Sequence, residues 1–490
     1  MERLSLATMD RLPVDVARPG FDPRSLEIGI VHFGIGAFHR AHQALYTQEA
    51  ITRHPGPWGI CGVIPRSPDV RPSLLPQDNL YTVAERTADG VKARIIGTVR
   101  EVLFAPDEVD AVTARVAAPA TRIVTLTITE KGYCLDPASG RLNEKHPEIV
   151  HDLTETGTPL SAIGLLARGL AARRQRHGGP LTILSCDNIM ENGHAIEKAL
   201  TRFLELSNRD LARWVAGNVT FPCSMVDRIV PAPTEVSQHQ IEQQIGLRDD
   251  ASISCESFRQ WVIEDRFAAE RPAWETAGAT LVSDVVPYET MKLRLLNGSH
   301  STLAYLGYLA GHQTIAQAIG EPSLRAFVAR MMEHEVSPTL ATPAGVDLAA
   351  YRALLLQRFA DPGLAHRTWQ IAMDGSQKLP PRLLAPISER MAKNQPFECL
   401  ALAVAGWMRY VTGVDEAGNP IDVVDPQANR LRQIAREVGP DAPALVERYS
   451  AITEIFGELG QSQAFKATVS NWLSSLFALG VRGTLAVALN

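Results

Sequence analysis

One short stretch, residues 287–300 (PYETMKLRLLNGSH), gathers an acid, an amine, an amide and an imidazole. On a helix turning about 100° per residue, Glu289, Lys292, Asn297 and His300 fall within an arc of about 140°. Met291 and Leu295 point in other directions, the pattern expected of a helix buried on several sides. Burying four such polar groups is costly unless they serve one another or a ligand. One alternative is that Lys292 and Glu289 reach out to a surface and Asn297-Gly298 makes a kink. The other is chemistry. Oxidising a secondary alcohol by hydride removal needs a base for the hydroxyl proton and donors for the developing alkoxide. A desolvated lysine is tunable toward that role, amides donate to an oxyanion, and a histidine orients a neighbouring hydroxyl. Such a set needs no metal. The remaining histidines show neither HExxH nor a comparable ligand spacing, so no catalytic zinc is expected.

A second constellation lies near the amino terminus. Gly34-Ile35-Gly36 follows an apolar run and opens a helical stretch at Ala37 and Phe38. In a βαβ dinucleotide fold the first glycine makes the tight turn and the second admits the pyrophosphate to the backbone, at the positive end of the helix. The full fingerprint wants a third small residue at position 39, which is His39. A plain tight turn is the alternative. The carboxylate that binds the adenosine ribose is expected at the end of the second strand, where residues 63–67 read VIPRS. Arg66 there suits a 2′-phosphate, stacking on adenine, or a solvated loop, so NAD and NADP both stay open.

These residues need elements to hold them. Residues 27–33, 58–64, 120–129 and 181–186 are apolar, β-branched runs and are predicted strands; residues 38–50 suit a helix between the first two. Alternation of strands and helices predicts a mostly parallel sheet, with an antiparallel excursion over 81–85 and 91–96. From about residue 287 strand signals nearly vanish. Helices are predicted at 288–309, 323–335, 348–359, 397–412 and 427–437. The expectation is an α/β protein: a Rossmann-type amino-terminal domain over 1–286 and a mainly α-helical carboxy-terminal domain over 287–490.

A chain of 490 residues fits two domains. Its 45% hydrophobic and 21% charged residues are ordinary globular composition, and a formal net charge of −6 gives no electrostatic case for nucleic acid or an anionic membrane as partner. The start of the sequence lacks a cationic region followed by an apolar run, and uncharged stretches such as 399–408 fall well short of the roughly 20 residues that span a bilayer. The six cysteines are scattered without CxxC spacing, as reduced core thiols are. A cytoplasmic protein is expected.

The chain resembles the polyol-specific long-chain dehydrogenases, the family of mannitol 2-dehydrogenase and fructuronate reductase. The residues that carry the resemblance are 34–42 (GIGAFHRAH), 185–188 (SCDN), 221–231 (FPCSMVDRIVP), 292–300 (KLRLLNGSH) and 374–378 (DGSQK). The resemblance implies a metal-independent, NAD-dependent oxidoreductase with Lys292 as general acid/base. Asn188 and Asn297 would form the oxyanion site, His300 would hold a substrate hydroxyl, and Glu289 would gate a water path for the proton. Asp227 and Lys378 would contact substrate; read alone, both look like ordinary surface charges. The mannitol branch often ends its second strand in a carboxylate, absent here, and carries arginine at the position of Gln370. Arg367, one turn earlier, would take over in part. Segments 129–134, 258–265 and 366–374 are closer to the fructuronate reductase branch. The implied reaction is interconversion of D-fructuronate and D-mannonate, with mannitol/fructose or another polyol as the alternative, and a catalytically silent dinucleotide-binding regulator as the non-enzymatic one. The resemblance also implies a monomer or weak homodimer.

Overall fold

Strands buried on both faces need no alternation of apolar and polar residues, and the uncharged runs of the amino-terminal half pair accordingly. The computed structural model describes all residues except 68–69, 88–89, 137–138, 155–156 and 365. The chain divides into two compact units, Met1–Val286 and Pro287–Asn490. The first holds strands β1 (Ile28–Phe33), β2 (Gly59–Ile64), β3 (Tyr81–Thr87), β4 (Gly90–Ile96), β5 (Val99–Phe104), β6 (Ile123–Leu126), β7 (Leu181–Ser185), β8 (Val219–Thr220), β9 (Ser224–Asp227), β10 (Ile253–Glu256), β11 (Gln260–Glu264) and β12 (Thr280–Val282).

The main sheet has the order β5-β2-β1-β6-β7-β8 with every pair parallel. The chain winds outward from β1 through β2 to β5, then returns to β6 and winds the other way, so the topological switch lies between β1 and β6, the doubly wound arrangement of a Rossmann domain. Neighbouring β1 residues serve opposite faces. Val31 and Phe33 pack with Val63, Val124, Ile163 and Leu200 on one side. Ile30 packs with Ile60, Leu45, Tyr46 and Trp261 on the other. Arg173, fully buried, donates to the carbonyls of Val116, Ala118, Gly178, Gly179 and Pro180 and so fixes the turn that feeds β7.

The expected antiparallel excursion is present as β3 and β4, paired from Tyr81↔Ile96 to Thr87↔Gly90, with β10 parallel beside β3. Two expectations change. The single helix expected over 38–50 is divided at His42 (φ −122, ψ −84) into Ala37–Ala41 and Gln43–Arg53. The break has a cause: Arg228 Nη1 takes the Ala41 carbonyl, and the His42 ring pairs with the Gln260 carbonyl at 2.9 Å. The strand expected over 120–129 pairs only at Ile123–Leu126, because Thr129 (φ 62) starts a short helix, Thr129–Gly132.

In the second unit no strand occurs among the described residues. Helices Leu348–Phe359, Glu398–Tyr410 and Ala428–Val438 lie within a few residues of expectation. The helix expected over 288–309 is instead divided into Val286–Met291, a π-helical turn and Gly298–Leu309. The one expected over 323–335 ends at Arg330 and continues as a π-helical turn, Met331–Val336. Glu398–Tyr410 is the core helix, and buried Glu335 accepts from the Cys399 and Leu400 amides at 2.9 and 2.8 Å, satisfying its amino terminus from outside. One expectation fails. The last helix, Gln463–Leu489, is long and apolar enough to cross a membrane by length and composition, because serine, alanine and glycine stand where charges would dilute it. Its Phe465, Val469, Leu473 and Leu476 join the core of the unit, and it breaks at Gly480 (φ 66). All six cysteines are buried and unbridged, as expected.

Candidate active site

In the first unit the glycine turn sits at the carboxyl edge of the sheet, at the switch point. Gly34 has φ +94, and a Cβ there would lie 2.0 Å from the Thr127 carbonyl oxygen, so only glycine fits. A Cβ on Gly36 would meet nothing nearer than the Gly34 oxygen at 3.8 Å. The first glycine is thus demanded by the protein, while the second keeps open a space that no protein atom fills. That is the fit a closely approaching pyrophosphate requires. Ile35 is buried; Ala37 and Phe38 follow in the first turn of the short helix.

His39, at the third fingerprint position, is buried and stacks on His32 of β1. Arg66 lies just past β2 and pairs with Glu148 at 2.9 Å. Its partner comes from 82 positions away in the sequence, a pairing that sequence distance hid.

Asn188 occupies the exposed turn after β7, and Asp227 ends β9 with a buried side chain. Between them in structural importance stands a residue that sequence reasoning passed over, Asp187. Its carboxylate accepts from the Ile128 amide at 3.0 Å, the Thr129 amide at 2.8 Å and the Tyr133 hydroxyl at 2.7 Å. It thereby fixes the loop after β6 beside the switch point. Burial pushes its pKa up to about 6. Its place in the SCDN segment was the available signal.

In the second unit the predicted polar face exists and is buried: Glu289, Lys292, Asn297 and His300 are each less than a tenth exposed. Residues 292–297 do not continue the α-helix but form a π-helical turn between Val286–Met291 and Gly298–Leu309. An i→i+5 turn brings residues five apart, Lys292 and Asn297, toward one face, where a regular helix would separate them by about 140°. Asn297 Nδ2 and His300 Nε2 are enclosed without a hydrogen-bond partner. Buried donors left this way are costly, so a ligand is the natural partner.

His300 packs against Phe359 and stacks on His366, each 5.3 Å away. Burial, then the neighbouring charges of His366, Arg382, Arg358 and Lys378, hold its pKa well below the usual imidazole value. It is neutral at physiological pH. Lys378 is half-buried, and Arg382, one turn on, donates to Ser301 Oγ at 3.0 Å. Arg367 is exposed at the cap of Thr368–Ala372. The arginines at His300 are instead Arg358 and Arg382, which sequence reasoning missed because nothing in spacing links residues 300, 358 and 382.

Two family models match in succession: the mannitol dehydrogenase Rossmann domain over residues 28–276 and the mannitol dehydrogenase C-terminal domain over 284–477. A D-mannonate oxidoreductase of Escherichia coli is 48% identical over 477 residues, covering 96% of this chain and 98% of the relative. A mannitol 2-dehydrogenase of Aspergillus fumigatus is 38% identical over 476 residues, covering 95% and 94%. Among solved structures, the Pseudomonas fluorescens mannitol 2-dehydrogenase in ternary complex with NAD and D-mannitol superposes with TM-score 0.91 at 37% identity, covering 99% of both chains. A glycine turn at the switch point, a buried Lys–Asn–His face and similarity along nearly the whole length agree: the chain belongs to the mannitol dehydrogenase family.

Proposed function

We propose that this chain is an NAD-dependent dehydrogenase that interconverts D-fructuronate and D-mannonate. Membership of the family supports secondary-alcohol oxidoreduction on a polyol or sugar acid. The choice of a sugar acid is carried by one observation: buried His300 lies in the field of three basic side chains, Arg382, Arg358 and Lys378, which add to burial in holding its pKa down. A substrate carboxylate meets such cations in charge-assisted hydrogen bonds, which a neutral polyol lacks.

When bound, the nicotinamide cofactor takes up or returns the hydride. Gly36 keeps its backbone cradle open. In the oxidative direction Lys292 accepts the hydroxyl proton, and Glu289 passes it on toward solvent. The Asn297 amide donates to the oxygen as it gains negative charge, and His300 Nε2 meets an adjacent hydroxyl. The same proposal extends to Asn188 as a second oxyanion donor and to Asp227 as a substrate contact. In reduction the proton runs back through Lys292 to the nascent alkoxide.

The test is steady-state kinetics with D-fructuronate, D-fructose, D-mannonate and D-mannitol under both nicotinamide cofactors. A larger kcat/KM for fructuronate than for fructose, by about 10²-fold, is expected. A larger value for fructose or mannitol assigns the chain to the mannitol 2-dehydrogenase branch, and no turnover of any of them favours a dinucleotide-binding regulator.

A further inference from the structure

On the first unit, the loop after β6 brings three metal-ligating side chains together. Cys134 adopts a left-handed backbone (φ 51), and its carbonyl accepts from the Asn143 amide at 2.8 Å. Leu135 and Leu142 pair as an antiparallel bridge. This reversal lays residues 143–148 back on Cys134. His146 follows in a turn closed on the Asn143 carbonyl, Pro147 opens the helix Pro147–Thr154, and Glu148 stands in its first turn.

Cys134 Sγ, a ring nitrogen of His146 and a carboxylate oxygen of Glu148 consequently all lie within 4.8 Å of one another. Sγ is 3.8 Å from Glu148 Oε2. Around a tetrahedral ion with bonds of about 2.0–2.3 Å, ligand atoms stand roughly 3.5 Å apart, so only a small contraction separates the cluster from a coordination shell. A second observation points to a ligand: His146 Nδ1 is enclosed and has no hydrogen-bond partner. We propose that Cys134, His146 and Glu148 bind one zinc-class divalent cation, with the fourth position left to water. A thiolate, an imidazole and a carboxylate form a borderline-soft set that selects zinc or cadmium over magnesium or calcium. Binding releases the thiol proton to solvent and involves no redox step. Arg66, now paired with Glu148 at 2.9 Å, is the internal cation that the metal displaces.

The experiment titrates cadmium into the chelator-treated full chain and follows the ultraviolet thiolate-to-metal charge-transfer band, with zinc and magnesium as competitors. One equivalent should saturate the band, zinc should remove it and excess magnesium should not. Cys134→Ser should abolish it, while His146→Gln and Glu148→Gln should each weaken binding about tenfold or more. Arg66→Ala should tighten it by removing the competing cation. Circular dichroism and melting of each variant separate lost binding from lost folding. The proposal is overturned if the wild-type chain gives no band, if the band survives in Cys134→Ser, or if both His146→Gln and Glu148→Gln bind as wild type does.

Discussion

The imidazoles of His32 and His39 lie face to face, ring centroids 3.4 Å apart and planes inclined by 15°. His32 belongs to β1 and is held through its ring by Thr125 Oγ1 at 2.7 Å and Thr127 Oγ1 at 2.9 Å. His39 stands where a dinucleotide-binding turn usually uses a small residue to let helix and strand approach. Here two flat rings achieve the same close approach. Both must stay neutral: burial lowers His32 to about 3 and His39 well below its usual value, the second pushed further by the first.

Acid stability should carry the mark of this packing. A histidine with a depressed folded pKa is protonated more readily in the unfolded chain, so its contribution is present above about 6.5 and is lost as pH falls toward the folded value. For His32 and His42 that window runs from about 6.5 down to about 3, with up to about 1.4 kcal/mol per pH unit from each. Asp187, raised to about 6 by burial, opposes this below that value. Urea midpoints should fall from pH 7 to pH 5, and His39→Phe, which keeps the stack but cannot titrate, should flatten the slope. An unchanged slope in that variant would remove His39 from the account.

The two glycines should separate stability from binding. Gly34→Ala forces a side chain into a left-handed position against the Thr127 carbonyl, and melting should show a loss of about 1–3 kcal/mol or more. Gly36→Val should melt like the parent, because its Cβ meets no close protein atom, yet its NADH dissociation constant should rise about tenfold or more by fluorescence titration. Unchanged NADH affinity in Gly36→Val would make the turn purely structural.

Lys292→Ala should lower turnover by about 10²–10⁴-fold with NADH affinity within about twofold of the parent, since the lysine belongs to the buried helical face and not to the glycine turn. Single-turnover hydride transfer measured from pH 7 to 9 checks this. Near-normal rates across that range would sink the general-base assignment.

Substrate choice should fall with the cations around His300. Lys378→Met and Arg382→Met should each cut kcat/KM for fructuronate by about tenfold or more while changing fructose much less, because each removes a charge-assisted hydrogen bond of about 1.5–3 kcal/mol. Arg367→Ala, at an exposed site, should leave both values near the parent. Parallel losses on the acid and the neutral sugar would show that the cations organise the fold rather than read a carboxylate.

Much of this architecture was legible because it rests on local signals. β1, β2, β6 and β7 are β-branched and uncharged, the turn at Gly34 needs a left-handed residue, and the 289–300 stretch mixes polar groups with leucines on a buried helix. What escaped reading depends on contacts between distant residues. Asp187 matters through three donors 54–59 positions away, Glu148 reaches Arg66 across 82, and Arg358 joins His300 from another helix. The break at His42 arises from Arg228, which no helix propensity encodes.

The wide turn at Lys292–Asn297 also acts as a phase slip in the chain's own periodicity. It absorbs one residue without turning the following helix, so positions counted across it at uniform pitch come out about 100° wrong. That is why leucines of this stretch point in several directions when read on a single helical wheel, although each half is regular by itself. The four polar groups then span about 80° instead of about 140°. Removing one residue inside the turn is accordingly the mildest change of length this helix admits, because it restores an ordinary pitch and leaves Lys292, Asn297 and His300 facing the same way. An added residue between Asn297 and His300 has no such slack to use and rotates His300 away from Lys292.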